Sequence, residues 1–108
     1  QIRLRALLNK KSKLHSNAIA LAMRIDFHRN FDKQLSKLPK KQKEQFKLRL
    51  IEFVQDQYMP TLNNHGLKGK YQGYRSINVT GDIRAILIFH NENHAEFVHI
   101  GSHSRLYG

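Results

Sequence analysis

From Met23 the chain alternates apolar and polar side chains through Arg24, Ile25, Asp26 and Phe27. That is the period of a half-buried strand. Asn30 or Asp32 is placed to cap a short helix carrying Phe31, Leu35 and Leu38. Pro39 ends that helix or opens the next, because its fixed φ suits a first helical turn. Over residues 40–58, Phe46, Leu50, Phe53 and Val54 recur at i, i+4, i+7 and i+8, and Ile51 widens the stripe. This predicts an amphipathic helix that Pro60 stops. Burying each of those four side chains is worth roughly 1.5–3 kcal/mol. Residues 61–72 read as a loop containing Asn63, Asn64, Gly66 and Gly69. Three strands follow: Tyr74–Val79, then Asp82–Phe89 after a Thr80-Gly81 turn, then Ala95–Ile100 after Asn91-Glu92-Asn93. Links this short imply antiparallel neighbours. The pattern predicts an α+β domain in which a helical hairpin packs on a mainly antiparallel twisted sheet.

Length and charge narrow the class. A chain of 108 residues, 40% of them hydrophobic, builds one modest core. Its formal charge is +11. Residues 1–22 hold Arg3, Arg5, Lys10, Lys11 and Lys13 and no acid. The other 14 basic and all 8 acidic residues lie in 23–108, which keeps a balance of +6. Such charge fits a polyanionic partner, nucleic acid or an acidic protein, although a solvated lysine-rich surface gives the same count. Residues 1–22 read as a basic N-terminal extension of unknown role, and 23–108 as the domain. No stretch approaches the roughly 20 apolar residues of a membrane span, so no membrane partner is expected. With no cysteine, thiolate catalysis and cysteine-ligated zinc are excluded, and the composition fits the cytosol.

The candidate chemistry is concentrated in residues 65–107. Cleaving RNA without a metal needs a base for the ribose 2′-hydroxyl, a cation for the phosphate and an acid for the departing 5′-oxygen. Histidine serves either proton role near neutral pH, and the arginine fork suits phosphate. His65 sits among loop glycines, and Asp82 and Arg84 fall two apart on the expected second strand, hence on one sheet face. His103 and Tyr107 share the terminal segment. An ion pair of Asp82 with Arg84, and structural histidines, account for the same residues without any chemistry. Tyr71 is the better base-stacking candidate; Tyr74 and Phe89 read rather as core or sheet residues. The lysines of the second helix face either RNA phosphates or solvent. His90 with His94, and His99 with His103, stand at i, i+4, but that spacing chelates a metal on a helix, not across a turn or past a strand end. No metal or other cofactor is expected.

Several motifs resemble the RelE/ParE toxin superfamily, and within it the YafQ-like mRNA interferases. They are His65-Gly66-Leu67-Lys68-Gly69, Gly73-Tyr74-Arg75, Gly81-Asp82-Ile83-Arg84, and the ending Gly101-Ser102-His103 through Leu106-Tyr107-Gly108. The resemblance spans residues 23–108; the ending is its most specific part, whereas Gly-Asp-x-Arg occurs across the superfamily. It implies the RelE-like fold and a bacterial, cytoplasmic toxin of a type II toxin–antitoxin pair. Such toxins enter the ribosomal A site and cut mRNA there without metal, leaving 2′,3′-cyclic phosphate and 5′-hydroxyl ends; a cognate antitoxin neutralises them.

By position, His65 and Asp82 match catalytic residues and His103 matches the general acid. Arg84 matches the phosphate-binding arginine, and Tyr107 matches an aromatic residue that positions substrate. Lys68 and Arg75 are further RNA-binding candidates. The family has another catalytic histidine where this chain has Asn78. Asparagine can hold substrate but cannot shuttle a proton in this range. The base stays open between Asp82 and His65. Two alternatives follow: a gyrase inhibitor like the ParE branch, or an inactive homologue that still binds antitoxin.

Overall fold

The computed structural model describes residues 23–107; the basic extension assigned to residues 1–22 lies outside the described residues. Strand β1 (Arg24–Phe27) leads into helix α1 (Arg29–Ser36) and helix α2 (Lys40–Gln55). Then come β2 (His65–Gly66), β3 (Arg75–Asn78), β4 (Ile83–Asn91), β5 (His94–Ser102) and a short helix α3 (His103–Tyr107). The five strands form one sheet in the order β1-β5-β4-β3-β2. β2, β3, β4 and β5 pair antiparallel, while β1 lies parallel to β5 at the edge. The α+β expectation of a helical hairpin on a mainly antiparallel sheet describes this architecture.

The apolar stripe of α2 enters the core with the residues its period assigns: Phe46, Leu50, Phe53 and Val54 are buried. They meet Phe31 of α1 and the sheet residues Ile25, Ile77, Ala85, Leu87, Phe97 and Ile100. Phe97 is the hub. Its ring lies 5.8 Å from Phe27, 5.6 Å from Phe31, 5.7 Å from Phe46 and 5.5 Å from Phe53. Mixed stacked, tilted and edge-on geometries of this kind suit the ring quadrupoles.

Five local expectations are corrected. α1 is capped by neither Asn30 nor Asp32: Nδ1 of His28 accepts the Asn30 N–H at 3.0 Å, so the helix starts at Arg29, two residues earlier than an Asn30 cap would place it. α2 ends at Gln55 rather than running to 58. There Asp56 becomes extended, and its carboxylate accepts the Tyr58 N–H at 3.0 Å, a local bond that competes with the next helical turn. Pro60 opens a 3-10 turn, Pro60–Leu62, rather than stopping the helix. His65-Gly66 is not loop but a two-residue edge strand opposite Ser76 and Arg75. Asp82 is not the first residue of a strand; it sits in the turn before Ile83, where Oγ1 of Thr80 accepts both the Asp82 N–H (3.3 Å) and the Ile83 N–H (3.0 Å).

One irregularity sets which side chains face away from the helices. Opposite β4, Ile86 aligns with His99 but Leu87 aligns with Phe97. Val98 is therefore an extra residue, a β-bulge, and it reverses the alternation along β5. Ala95, Phe97 and Ile100 all reach the core, while His99 stays on the other face beside Ile86. β1 runs out at the same place. The Ile100 N–H that no strand covers donates instead to Oε1 of Gln34 on α1, at 3.0 Å.

Candidate functional site

The face turned away from α1 and α2 carries two rows of side chains across the sheet. One joins Asn78, Arg84 and Gly101; the next joins His65, Ser76, Ile86 and His99. Rows lie about 6.6 Å apart along a strand, and neighbouring strands about 4.8 Å apart. α3 then folds back over this face. Leu106 is buried outside the main core, and its side chain reaches within 3.6 Å of the place a Cβ would occupy on Gly101.

Helical spacing in α3 sets His103 against Tyr107, ring centres 4.8 Å apart. Tyr107 contacts Tyr71 edge-on at 5.9 Å, and Tyr71 contacts both Tyr74 (6.2 Å) and His99 (6.0 Å). The segment carrying Tyr71 and Tyr74 turns through Gly69 and Gly73, at φ +65° and +92°, a region L side chains avoid. A pocket of about 250 Å³ opens between this segment, β5 and the start of α1, with Lys70, Tyr71, Tyr74, His28 and His99 in its wall.

The polar groups are poised rather than mutually satisfied. The Nη1 of Arg84 donates to the carbonyls of Thr80 (2.9 Å) and Ile83 (3.1 Å). It does not pair with Asp82, because Asp82 belongs to the turn and not to the strand. Oδ1 of Asn78, Oγ of Ser76 and the Tyr107 hydroxyl are buried with no hydrogen-bond partner among the described residues. Such groups cost stability where they stand. Beside Asn78 a second groove of about 550 Å³ runs between α2 and the β3–β4 turn, edged by Lys41 and Arg49. Burial, reinforced by the charges of His28 and Lys70, holds the His99 imidazole below its ordinary value.

The structure thus brings Asn78, Asp82, Arg84, His103 and Tyr107 to one end of one sheet face. The backbone N–H of His103 donates to the carbonyl of Asp82 at 3.0 Å. His65 shares the face but lies on the edge strand, its Nδ1 2.8 Å from the Asn63 carbonyl. Lys68 is exposed just before the Tyr71 turn. Arg75 is not part of the cluster. It alternates with Ser76 to the helix side of β3, where its Nε donates to Oδ1 of Asn64 at 2.6 Å and its guanidinium lies 5.8 Å from the Tyr58 ring centre. Its observed work is to fasten the loop before His65.

The sequence reading missed His99, Lys70 and His28. His99 was visible only as a spacing from His103, and strict alternation from Phe97 points it into the core. The other histidine pair lies at the far end of the β4–β5 hairpin. His90 and His94 have ring centres 4.8 Å apart, but each bonds a carboxylate, Glu96 and Asp26, at 2.8 Å. Among the described residues no group of three or more histidine or acidic side chains is arranged to hold a metal ion.

This fold, a helical hairpin over a mainly antiparallel five-stranded sheet, is that of the RelE/YafQ-type toxins. The family model described as the bacterial toxin of type II toxin–antitoxin system, YafQ, matches residues 23–108; the chain belongs to that family. Among curated proteins none matches the sequence. Solved structures with the same fold include YafQ from E. coli strain BL21(DE3), with 21% identity, TM-score 0.65, and 80% of this chain and 99% of that one covered. The E. coli DinJ–YafQ toxin–antitoxin complex matches at 22% identity and TM-score 0.64, covering 81% and 99%. The RelB–RelE antitoxin–toxin complex of Methanococcus jannaschii matches at 23% identity and TM-score 0.59, covering 76% and 94%. No helix among the described residues is long and apolar enough to cross a membrane.

Proposed function

We propose that this toxin is a ribosome-dependent mRNA endoribonuclease, acting in the A site and neutralised by a cognate antitoxin. The observation that carries the reading is the junction of His103 with the Asp82 turn, one strand from Arg84. An imidazole that can give up a proton and a guanidinium that can hold phosphate stand on one open face. In this reading His103 protonates the departing 5′-oxygen, and Arg84 neutralises charge on the phosphate. Asp82 and His65 occupy the catalytic positions the family resemblance implies. Tyr107 and Tyr71 offer ring faces to bases, and the Asn78 amide can hold substrate. Lys68, with Lys41 beside the α2 groove, extends the basic surface. An acidic antitoxin segment covering these charges would block RNA; the complexes of DinJ with YafQ and RelB with RelE support a protein partner of that kind.

The test is primer extension on mRNA from translating ribosomes, with the full chain and with His103→Ala, followed by end-group analysis. Cleavage by the wild type alone, leaving 2′,3′-cyclic phosphate and 5′-hydroxyl ends, is the expected result, since those ends come from attack by the 2′-oxygen and not from a metal-activated water. Folded protein that cuts nothing would overturn the reading. A supercoiling assay would then separate gyrase inhibition from an inactive, antitoxin-binding homologue, which the asparagine at position 78 favours.

A further inference from the structure

His99 stands at the pocket beside the proposed site and is unused in the mechanism above. Its ring meets Tyr71 edge-on at 6.0 Å, Tyr71 meets Tyr107 at 5.9 Å, and Tyr107 meets His103 at 4.8 Å. The two imidazoles therefore flank one tyrosine pair. His99 also lies one row from Arg84 on the adjacent strand, since Arg84 opposes Gly101 and Ile86 opposes His99; diagonal neighbours of this kind are about 7–8 Å apart. The pocket, about 250 Å³, has two tyrosine rings for a base and Lys70 for a phosphate.

The other candidates for the base are less well placed. His65 stands two strands and one row from Arg84, whereas His99 stands one strand and one row from it, and the Asn63 carbonyl beside Nδ1 of His65 leaves only its Nε2 to act as a base. Asp82 is an exposed turn residue, and carboxylates as a class are weak bases at neutral pH. Asn78 cannot take a proton.

We propose that His99 is the general base of the cleavage, accepting the 2′-hydroxyl proton of a nucleotide seated in the pocket formed with Lys70, Tyr71 and Tyr74. The assignment rests on the RNA-cleavage reading. The neutral His99 imidazole takes the proton, and the 2′-oxygen forms a bond to phosphorus. The bond from phosphorus to the 5′-oxygen breaks, and His103 as imidazolium gives its proton to that oxygen. The products are the cyclic phosphate and the 5′-hydroxyl, with His99 protonated and His103 neutral; proton exchange with water restores both.

The groups that set the protonation of His99 surround it. His28 faces it from the start of α1, Lys70, Tyr71 and Tyr74 from the turn, and Arg84 stands one row away on β4. Burial, then His28 and Lys70, keep it below the ordinary 6.5, so the ring stays neutral to lower pH than a free histidine.

Single-turnover cleavage of ribosome-bound mRNA by the full chain, from about pH 5.5 to pH 8, tests this, with His99→Ala, His99→Gln and added imidazole. The wild-type rate should fall on the acid side below the ordinary histidine range. Both variants should lose about 10²–10⁴-fold in kcat and lose that acid limb, and imidazole should restore part of the His99→Ala rate. Thermal melting of His99→Gln, the closer isostere, separates chemistry from unfolding. Wild-type kcat and an unchanged acid limb in a folded variant would overturn the assignment and leave the nuclease reading standing. A loss with the acid limb kept and no rescue by imidazole would make His99 a positioning residue and overturn it too. No cleavage by the wild type removes both claims.

Discussion

The backbone N–H of His103 donates to the carbonyl oxygen of Asp82 at 3.0 Å, joining the first residue of the terminal helix to the β3–β4 turn. The two residues are held together through main chain, so neither side chain is spent on the contact. His103→Ala should therefore leave the melting temperature nearly unchanged, within about 0.5 kcal/mol as for other exposed sites, while lowering cleavage about 10²–10⁴-fold. Asp82→Asn should likewise keep its fold. Melting curves and cleavage rates measured together check both; a cooperative loss of structure in either variant would show that the side chain supports the turn.

Arg84 differs, because its guanidinium is already bonded to the Thr80 and Ile83 carbonyls. Hydrogen bonds from a charged group contribute about 1.5–3 kcal/mol, and partial exposure reduces that here. Arg84→Lys keeps the charge but loses the fork. It should cost about 1 kcal/mol of stability and lower the cleavage rate without abolishing RNA binding. Arg84→Glu should cost activity far more than stability; if that protein fails to fold, the residue is structural.

Arg75 should behave as a fastener. Its bond to Asn64 continues to the Gln57 carbonyl, which accepts from Nδ2 of Asn64 at 3.0 Å. Arg75→Gln and Asn64→Ala should each destabilise the protein, and the double variant should cost less than their sum, as coupled partners do. The salt dependence of RNA binding should barely change in Arg75→Gln, whereas loss of a phosphate contact reduces the slope. A slope reduced as much as in a Lys68→Gln control would place Arg75 on the RNA.

Phe97→Ala should be the most damaging core change considered. Phe97 is completely buried and touches four other phenylalanine rings. Truncations of this type cost about 3–5 kcal/mol, much of the stability of a small domain. Denaturant unfolding would show a lowered midpoint or no folded baseline; a shift under about 1 kcal/mol would mean the ring cluster repacks around the gap.

His99 also predicts a pH dependence of stability. Its folded value lies below the ordinary 6.5 because of burial first, then His28 and Lys70. Between the folded and unfolded values the unfolded chain binds more protons, so stability rises with pH in that window. The fold should therefore lose stability as pH drops from above 6.5 through the lowered folded value, then level off for this residue. His99→Gln should flatten that part of the slope. Melting temperature against pH for the two proteins checks it, and equal slopes would mean that other groups dominate.

The sequence by itself determined the layers and named the candidate chemistry. Helical periodicity assigned Phe46, Leu50, Phe53 and Val54 to the core face of α2, because a rigid 3.6-residue repeat leaves little choice of face. Short polar turns made β3, β4 and β5 antiparallel neighbours. His65, Asp82, Arg84, His103 and Tyr107 were named from their motifs. What the sequence could not determine depended on local exceptions to those repeats. Asp82 fell off its strand because the Thr80 hydroxyl captures two backbone N–H groups. Arg75 left the site because alternation is counted from a register that only strand pairing establishes. His99 was hidden by the bulge at Val98: a single extra residue reverses a period of two, and only the pairing of β5 with β4 shows where it lies.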